Sequence, residues 1–386
     1  MALTTDVVVV GGGVNGISIA YALAARGARV TLVEKGALAS GASGRSSALV
    51  RMHYTNEWDA RLAWASFPVF RDWTDVMGGP PVFTHTGFAT VVAPAYAEAL
   101  RANVAMLRGL GVNTSVLSPA ELSRVAPILN VDDVGAAAWE PDSGYANPAD
   151  TVDGFRRRAQ DLGATILPYT TVFGFVQRDS RVAGVETSAG RIDAGAVVVA
   201  AGAWAPKLCR GVGLTLPARP KAIDTMLVTR PPELADPHLI VIDNVQRTYF
   251  RPESRTLTLA GIPCDVWDID PDTTGEGLPP AAADVGAGLL THRFPALERA
   301  TLARGYRAFD CYSDDRHAIL GPVDGVDGLY LATAFSGTGF KIAPAVGTCM
   351  AEVILDGRAK TVDLEAFSLR RFTERRSFPE PHPYAR

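Results

Sequence analysis

Histidine and cysteine are scarce, six and four in 386 residues, and neither gathers into a motif. No HExxH or other ligand spacing appears, so the sequence offers no metal site. Cys209, Cys264, Cys311 and Cys349 lie far apart with no CxxC pair, which suits a reducing compartment rather than a disulfide framework. There is no GxSxG elbow to carry a nucleophilic serine. No apolar run reaches the length of a membrane span. The first strand pattern starts almost at once, without a signal peptide, and a cytoplasmic location is the expectation. The Asn113-Thr114-Ser115 sequon is then a chance match. Lysine and arginine, 37 together, do not outnumber the 41 acids, and no basic block interrupts the chain. That excludes nucleic acid and anionic membrane as main partners. Repeats and low-complexity tracts are lacking too. What is present, 47% hydrophobic and 20% charged, is enough chain for one large core or two interleaved domains.

The most informative stretch is DVVVVGGGVNGISIAYALAARGARVTLVE, residues 6–34. The four valines from Val7 to Val10 predict a strand buried on both faces of a parallel sheet. Gly11, Gly13 and Gly16 follow as G-x-G-x-x-G, and a helical pattern runs on until Gly27 stops it. Residues 29–33 alternate into a second strand that ends on Glu34. The glycines provide a tight turn, close backbone approach to a pyrophosphate, and tight helix-on-strand packing. Phosphates would sit at the helix N-terminus, where free N–H groups and the dipole favour an anion. Glu34 follows Gly11 by 23 positions, where a carboxylate accepts hydrogen bonds from an adenosine ribose. An acid there disfavours a 2′-phosphate, leaving FAD or NAD. The expectation is a dinucleotide fold.

Residues 35–48, KGALASGASGRSSA, are crowded with small side chains. They form either a flexible surface loop or a seat where a planar ligand lies against backbone. Arg51 then stands in an apolar run, ALVRMHY at 48–54. Such an arginine needs a partner, internal or supplied by a ligand. Trp58, Trp64, Phe67, Phe70 and Trp73 read as the core stripe of an amphipathic helix over 57–77. GGPP at 78–81 and AAAWEPDSGY at 136–145 read as domain crossings. Strands are expected over 82–93 and helices over 94–110, 119–125 and 147–162. Short strands should follow over 165–167, 171–177 and 181–186. A buried strand over 196–201 stops at Gly202, a second small-residue turn of the kind that binds ligands in open α/β sheets. Strands over 225–229, 239–242, 247–250 and 256–260 suggest an antiparallel sheet with Tyr249 and Arg251 on its inner face. GLYLATAFSGTGF at 328–340 repeats the strand–turn–helix logic, and its helix N-terminus would support negative charge on a bound ring. The Arg- and Pro-rich tail, 370–386, reads as solvated.

Together DVVVVGGGVNGISIAYAL, GASGRSSALVR at 41–51, VVVAAGAW at 197–204 and GLYLATAFSGTGFKIAPAVG at 328–347 resemble the flavin-dependent amine-oxidising family of D-amino acid oxidase, glycine oxidase and sarcosine oxidase. The resemblance implies an α/β fold. A Rossmann-like FAD-binding domain of glutathione-reductase type (1–80, 140–218, 302–386) would interleave with an α+β antiparallel-sheet substrate domain (81–139, 219–301). It implies extended FAD, with pyrophosphate on Gly11, Gly13, Val14, Asn15 and Gly16 and ribose on Glu34, and Lys35 also binding the cofactor. Ser43, Gly44, Arg45, Ser46, Ser47 and Ala48 would meet the isoalloxazine, and Val172 the adenine. Ala201, Gly202 and Trp204 form the second turn. Gly337, Thr338, Gly339, Phe340 and Lys341 would border the pyrimidine edge.

By the same resemblance Arg51, Lys341, Arg307 and Tyr249, with His53, bind substrate, the cations gripping its carboxylate through charge-assisted bonds. Three departures matter. SDD at 313–315 stands where members read TPD. Cys311 is offset by one from a cysteine that holds flavin covalently in some members, so FAD is expected to be non-covalent. Thr258 lies near where sarcosine oxidases place a lysine, and no lysine occurs between Lys221 and Lys341. The implied reaction oxidises the C–N bond of a small amino acid, a secondary or N-substituted one. Hydride passes to flavin N5, the imine hydrolyses, and O2 becomes H2O2. Positioning carries the catalysis and no dedicated base is named. The alternatives are a dehydrogenase serving a quinone or protein acceptor, a flavin-binding subunit without its own substrate, and an NAD-dependent dehydrogenase.

Overall fold

The computed structural model describes residues 3–234 and 236–384. Strand β1 (Leu3–Val10), helix α1 (Val14–Ala25) and strand β2 (Val30–Val33) open the chain. β1 lies between β2 and the strand Gly190–Val199, parallel to both. Val7 and Val9 enter one core and Val8 and Val10 the other, which is why the run carries no polar alternation. Thr165–Leu167 extends the sheet beyond β2, and Leu329–Thr333 pairs in parallel with Gly190–Val199. The antiparallel strands Val172–Arg178 and Arg181–Thr187 complete one edge. α1 packs closely on the helix Gly339–Asp356. A Cβ on Gly347 would come within 2.4 Å of Ser18 Oγ, which donates to the Ala343 carbonyl at 2.8 Å.

A second eight-stranded sheet is built from strands within 88–140 and 218–313. Its pairs are antiparallel except one, Ile240–Asp243 beside Phe88–Val92, which run parallel. The long strands Ala218–Thr229 and Thr301–Ser313 pair along their length. They start and finish in the core beneath the first sheet, through Ala218 and Cys311, and reach the core of the second through Met226 and Val228. The ribbon's middle faces the cavity described below.

Four features differ from the sequence reading. Thr301–Ser313 is one 13-residue strand, and Pro280–Arg293 is a helix; neither was expected. The stripe over 57–77 is core, as expected, but it breaks into Glu57–Arg71 and Trp73–Met77. The tail is exposed over much of its length, as expected, but it is anchored at three points. Phe378 stacks on His317 with centroids 3.6 Å apart, Arg371 pairs with Asp315 at 2.7 Å, and the Tyr384 hydroxyl bonds His53 Nε2 at 2.8 Å. Phe378 and Tyr384 each find a buried ring, of His317 and His53, which the tail's composition conceals. Among the described residues no helix is long and apolar enough to cross a membrane, and no His/Cys/Asp/Glu group is placed to hold a metal ion.

Candidate active site

The three small-residue turns converge. The Ala200 N–H donates to the Val10 carbonyl at 2.8 Å, setting the turn after Gly190–Val199 against Gly11. Asn15 Nδ2 donates to the Gly339 carbonyl at 3.2 Å, tying the start of α1 to the closing bend. Ser43 Oγ accepts from the Val14 N–H at 2.9 Å, drawing in the loop after β2. Between them runs a cavity of about 810 Å3, toward the upper end of the range of about 300–1,000 Å3 for small-molecule sites.

Its wall holds Gly11, Gly13, Val14, Asn15, Glu34, Lys35, Ser43, Arg45, Ser46, Ser47, Val172, Ala201, Gly202, Trp204, Gly337, Gly339, Phe340 and Lys341, with Arg51 and Tyr249. Gly16, Gly44, Ala48 and Thr338 lie just behind it. Gly16 and Gly44 fit against backbone, since a Cβ would meet the Gly11 and Ala39 carbonyl oxygens at 1.9 and 2.4 Å. Thr338 turns its hydroxyl to the Phe335 carbonyl at 2.7 Å. Glu34 is fixed by the N–H groups of Gly12 and Gly36, at 2.7 and 2.8 Å. Two proposed substrate residues point elsewhere. His53 is buried against Tyr384, and Arg307 forks onto Asp224 at 2.7 and 2.8 Å. Cys311, fully buried, is off the wall.

Sequence reasoning missed Asp272, Lys207, Asp310 and Tyr312, which also line the cavity. Asp272 reaches across from the second half of the chain. It accepts from Trp204 Nε1 at 2.8 Å and from Lys207 at 3.2 Å, and it pairs with Lys35. The Lys35 hydrogen bond holds its carboxyl at about 2. Arg45 pairs with Glu276 at 2.6 Å, so the 272–276 segment straps the nucleotide end. Each such half-exposed pair is worth at most about 1 kcal/mol and screens with salt. Asp272→Asn is therefore expected to speed FAD release about three- to tenfold, read by flavin fluorescence after dilution. Wild-type release should quicken with salt and the variant's much less; equal rates at low salt would show that the strap holds nothing.

At the other end stand the cations. The Arg51 guanidinium lies 4.6 Å over the Tyr54 ring and 5.7 Å from that of Phe88. Its Nη1 donates to the His53 carbonyl, and its Nε is buried without a partner. The nearby acid Glu140 is taken up by Ser143 Oγ at 2.6 Å and the Met52 N–H at 3.0 Å. Lys341 is 5% exposed, with only the Thr338 carbonyl at 3.5 Å. Burial, then the charge of Arg51, pushes its ammonium well below the ordinary range. Among the described residues neither cation has a carboxylate within ion-pair distance. Tyr249 projects beside them because Gly261 on the next strand leaves room; a Cβ there would meet its ring at 2.2 Å. Burial raises its phenol.

A dinucleotide turn and two cations without an ion-pair partner among the described residues, on the wall of one cavity, define a nucleotide-dependent oxidoreductase. The chain belongs to the FAD dependent oxidoreductase family, which it matches over residues 6–353. It is 26% identical to the sarcosine oxidase subunit beta of Arthrobacter sp, over 95% of this chain and 91% of that one. The solved L-proline dehydrogenase of P. horikoshii superposes with a TM-score of 0.90 at 27% identity, over 98% of this chain and 100% of that one. Glycine oxidase of Geobacillus kaustophilus superposes with a TM-score of 0.83 at 25% identity, over 95% and 99%. The residues present fit FAD: Gly13 leaves the mouth of α1 open, with only Ser43 Oγ near its missing Cβ, at 3.0 Å.

Proposed function

We propose that this chain oxidises the C–N bond of a small amino acid, a secondary or N-substituted one, and passes the electrons to O2. The carrying observation is the pair Arg51 and Lys341, half-buried and buried, on the cavity wall with no acid in ion-pair range among the described residues. Leaving two cations uncompensated is costly unless a ligand anion joins them. The named relatives act on sarcosine, glycine and L-proline, each a carboxylate beside an amine. In this reading the first sheet serves the cofactor and the second roofs the substrate.

Arg51 and Lys341 grip the carboxylate, and Tyr249 closes one side. The grip fixes which carbon faces the cofactor, and position supplies most of the rate. Bound FAD supplies the hydride acceptor at N5, and the imine product hydrolyses in water. The amine must be neutral when hydride leaves, so a substrate that enters with an ammonium first gives up one proton, and no dedicated base is assigned.

Anaerobic mixing of the holoenzyme with N-alkylglycines, proline and glycine should bleach the flavin with at least one of them, and turnover in air should release one peroxide per imine. A flavin that no amino acid bleaches would sink the reading. Bleaching without peroxide, restored to turnover by a quinone, would move it to the dehydrogenase that the proline dehydrogenase likeness favours.

A further inference from the structure

Asp310 is an acid in a cavity otherwise dominated at that end by cations, and we propose that it receives the ammonium group of the substrate, so that the site takes its amino acid as a zwitterion. The inference rests on the amino-acid reading above. Asp310 sits on Thr301–Ser313 and lines the cavity half-buried. One carboxylate oxygen accepts from the Cys311 N–H at 2.8 Å and the other from the Gly337 N–H at 2.8 Å. The group is thus held between the strand and the closing bend, and each oxygen keeps an unused lone pair.

Among the described residues no cation pairs with it. Lys221 pairs with Asp310 across the ribbon, but its ammonium is turned to the rings of Trp267 and Tyr312, 4.5 and 5.1 Å away. Lys341 Nζ makes its one polar contact with the Thr338 carbonyl. Among the described residues nothing stands within ion-pair distance of the carboxylate. Burial raises its pKa, opposed by the Cys311 and Gly337 N–H bonds and then by the charge of Lys341. A carboxyl so placed gains most from a ligand that brings a positive N–H. Arg51 and Lys341 supply the complement for the other end of the molecule. The arrangement also selects: a ligand with a carboxylate but no amine leaves Asp310 desolvated and unpaired.

Two isosteric ligands test this. 2-Aminoisobutyrate has no hydrogen on its α-carbon and so cannot be oxidised there; in 2,2-dimethylpropanoate a methyl replaces the ammonium. Each is titrated into the holoenzyme and followed by the flavin absorption band. Wild type should bind the amino acid at least about tenfold tighter, as a charge-assisted bond requires. In Asp310→Asn that preference should collapse, with the affinity for 2,2-dimethylpropanoate held within about threefold. Equal weakening of both ligands in the variant would make Asp310 a brace for the bend and overturn the proposal. Equal affinities in wild type would overturn it whatever the variant does. If neither ligand perturbs the flavin, the amino-acid reading itself fails, and Asp310 with it.

Discussion

Arg51→Ala is expected to raise KM for the amine substrate by two to three orders of magnitude while the protein keeps its FAD and loses no thermal stability. Truncating one member of a desolvated charge pair costs about 2–5 kcal/mol in binding, and about 1.4 kcal/mol is a factor of ten. The unusual half of the expectation is the stability. Arg51 has a buried, unpartnered Nε and a single hydrogen bond, to a carbonyl, so its removal breaks no ion pair, and the relief of that buried charge offsets the lost packing on Tyr54 and Phe88. Arg51→Lys should recover only part of the affinity, because a point charge lacks the fork. Lys341 supplies a pH signature. Arg51 helps depress its ammonium, and carboxylate ligands need that ammonium charged. Affinity should therefore fall as pH rises through the depressed Lys341 pKa, and in Arg51→Ala the same fall should move to higher pH. Ligand titrations across pH, with melting curves of both proteins, give the answer. Unchanged affinity in Arg51→Ala, or a fall that moves to lower pH, would end the carboxylate clamp.

What the sequence disclosed was set by short-range chemistry. Val7 to Val10 declared a two-faced strand because each valine goes to one of two cores. The glycine turns were legible because backbone that must pass close to other backbone admits no Cβ. Arg51 was legible for a related reason: charge embedded in apolar neighbours. The same rule, applied to the Phe309-Asp310-Cys311 triplet, would have marked Asp310 before any fold was known.

What stayed hidden depends on distant register. Arg307 looks free in sequence, yet its fork partner Asp224 sits 83 positions away and directly opposite it on the ribbon. Asp272 meets Lys35 across 237 positions, and Tyr384 meets His53 across 331. No local pattern encodes such pairs. The strand Thr301–Ser313 escaped because its burial changes along its length, exposed over its first four residues and mostly buried at its end. The helix Pro280–Arg293 escaped because Gly286, Leu290 and Arg293 are its only buried side, too thin a stripe among alanines and glycines to show a period.

Gly13→Ala and Gly16→Ala should both abolish tight FAD binding, by two routes that stability separates. A Cβ on Gly16 would lie 1.9 Å from the Gly11 carbonyl oxygen and 3.3 Å from the Ala200 Cβ. Neither neighbour is the free end of a flexible side chain, since one belongs to the turn and the other to the adjoining strand end. The turn must open, and overpacking of this kind costs about 1–3 kcal/mol or more; the apo protein should melt several degrees lower and stay colourless. A Cβ on Gly13 meets only Ser43 Oγ, at 3.0 Å, which need yield only a few tenths of an ångström while keeping its bond from the Val14 N–H. Gly13 has φ −73°, an angle alanine adopts freely. Apo Gly13→Ala should therefore melt within about a degree of wild type. Its methyl, however, projects where α1 presents its N–H groups, so backbone can no longer close on a pyrophosphate. FAD affinity should drop at least about a hundredfold, some 2.7 kcal/mol. Flavin titrations of the two apo proteins, set beside their melting temperatures, distinguish the routes. Gly13→Ala binding FAD like wild type would mean that the phosphates do not lie at this turn.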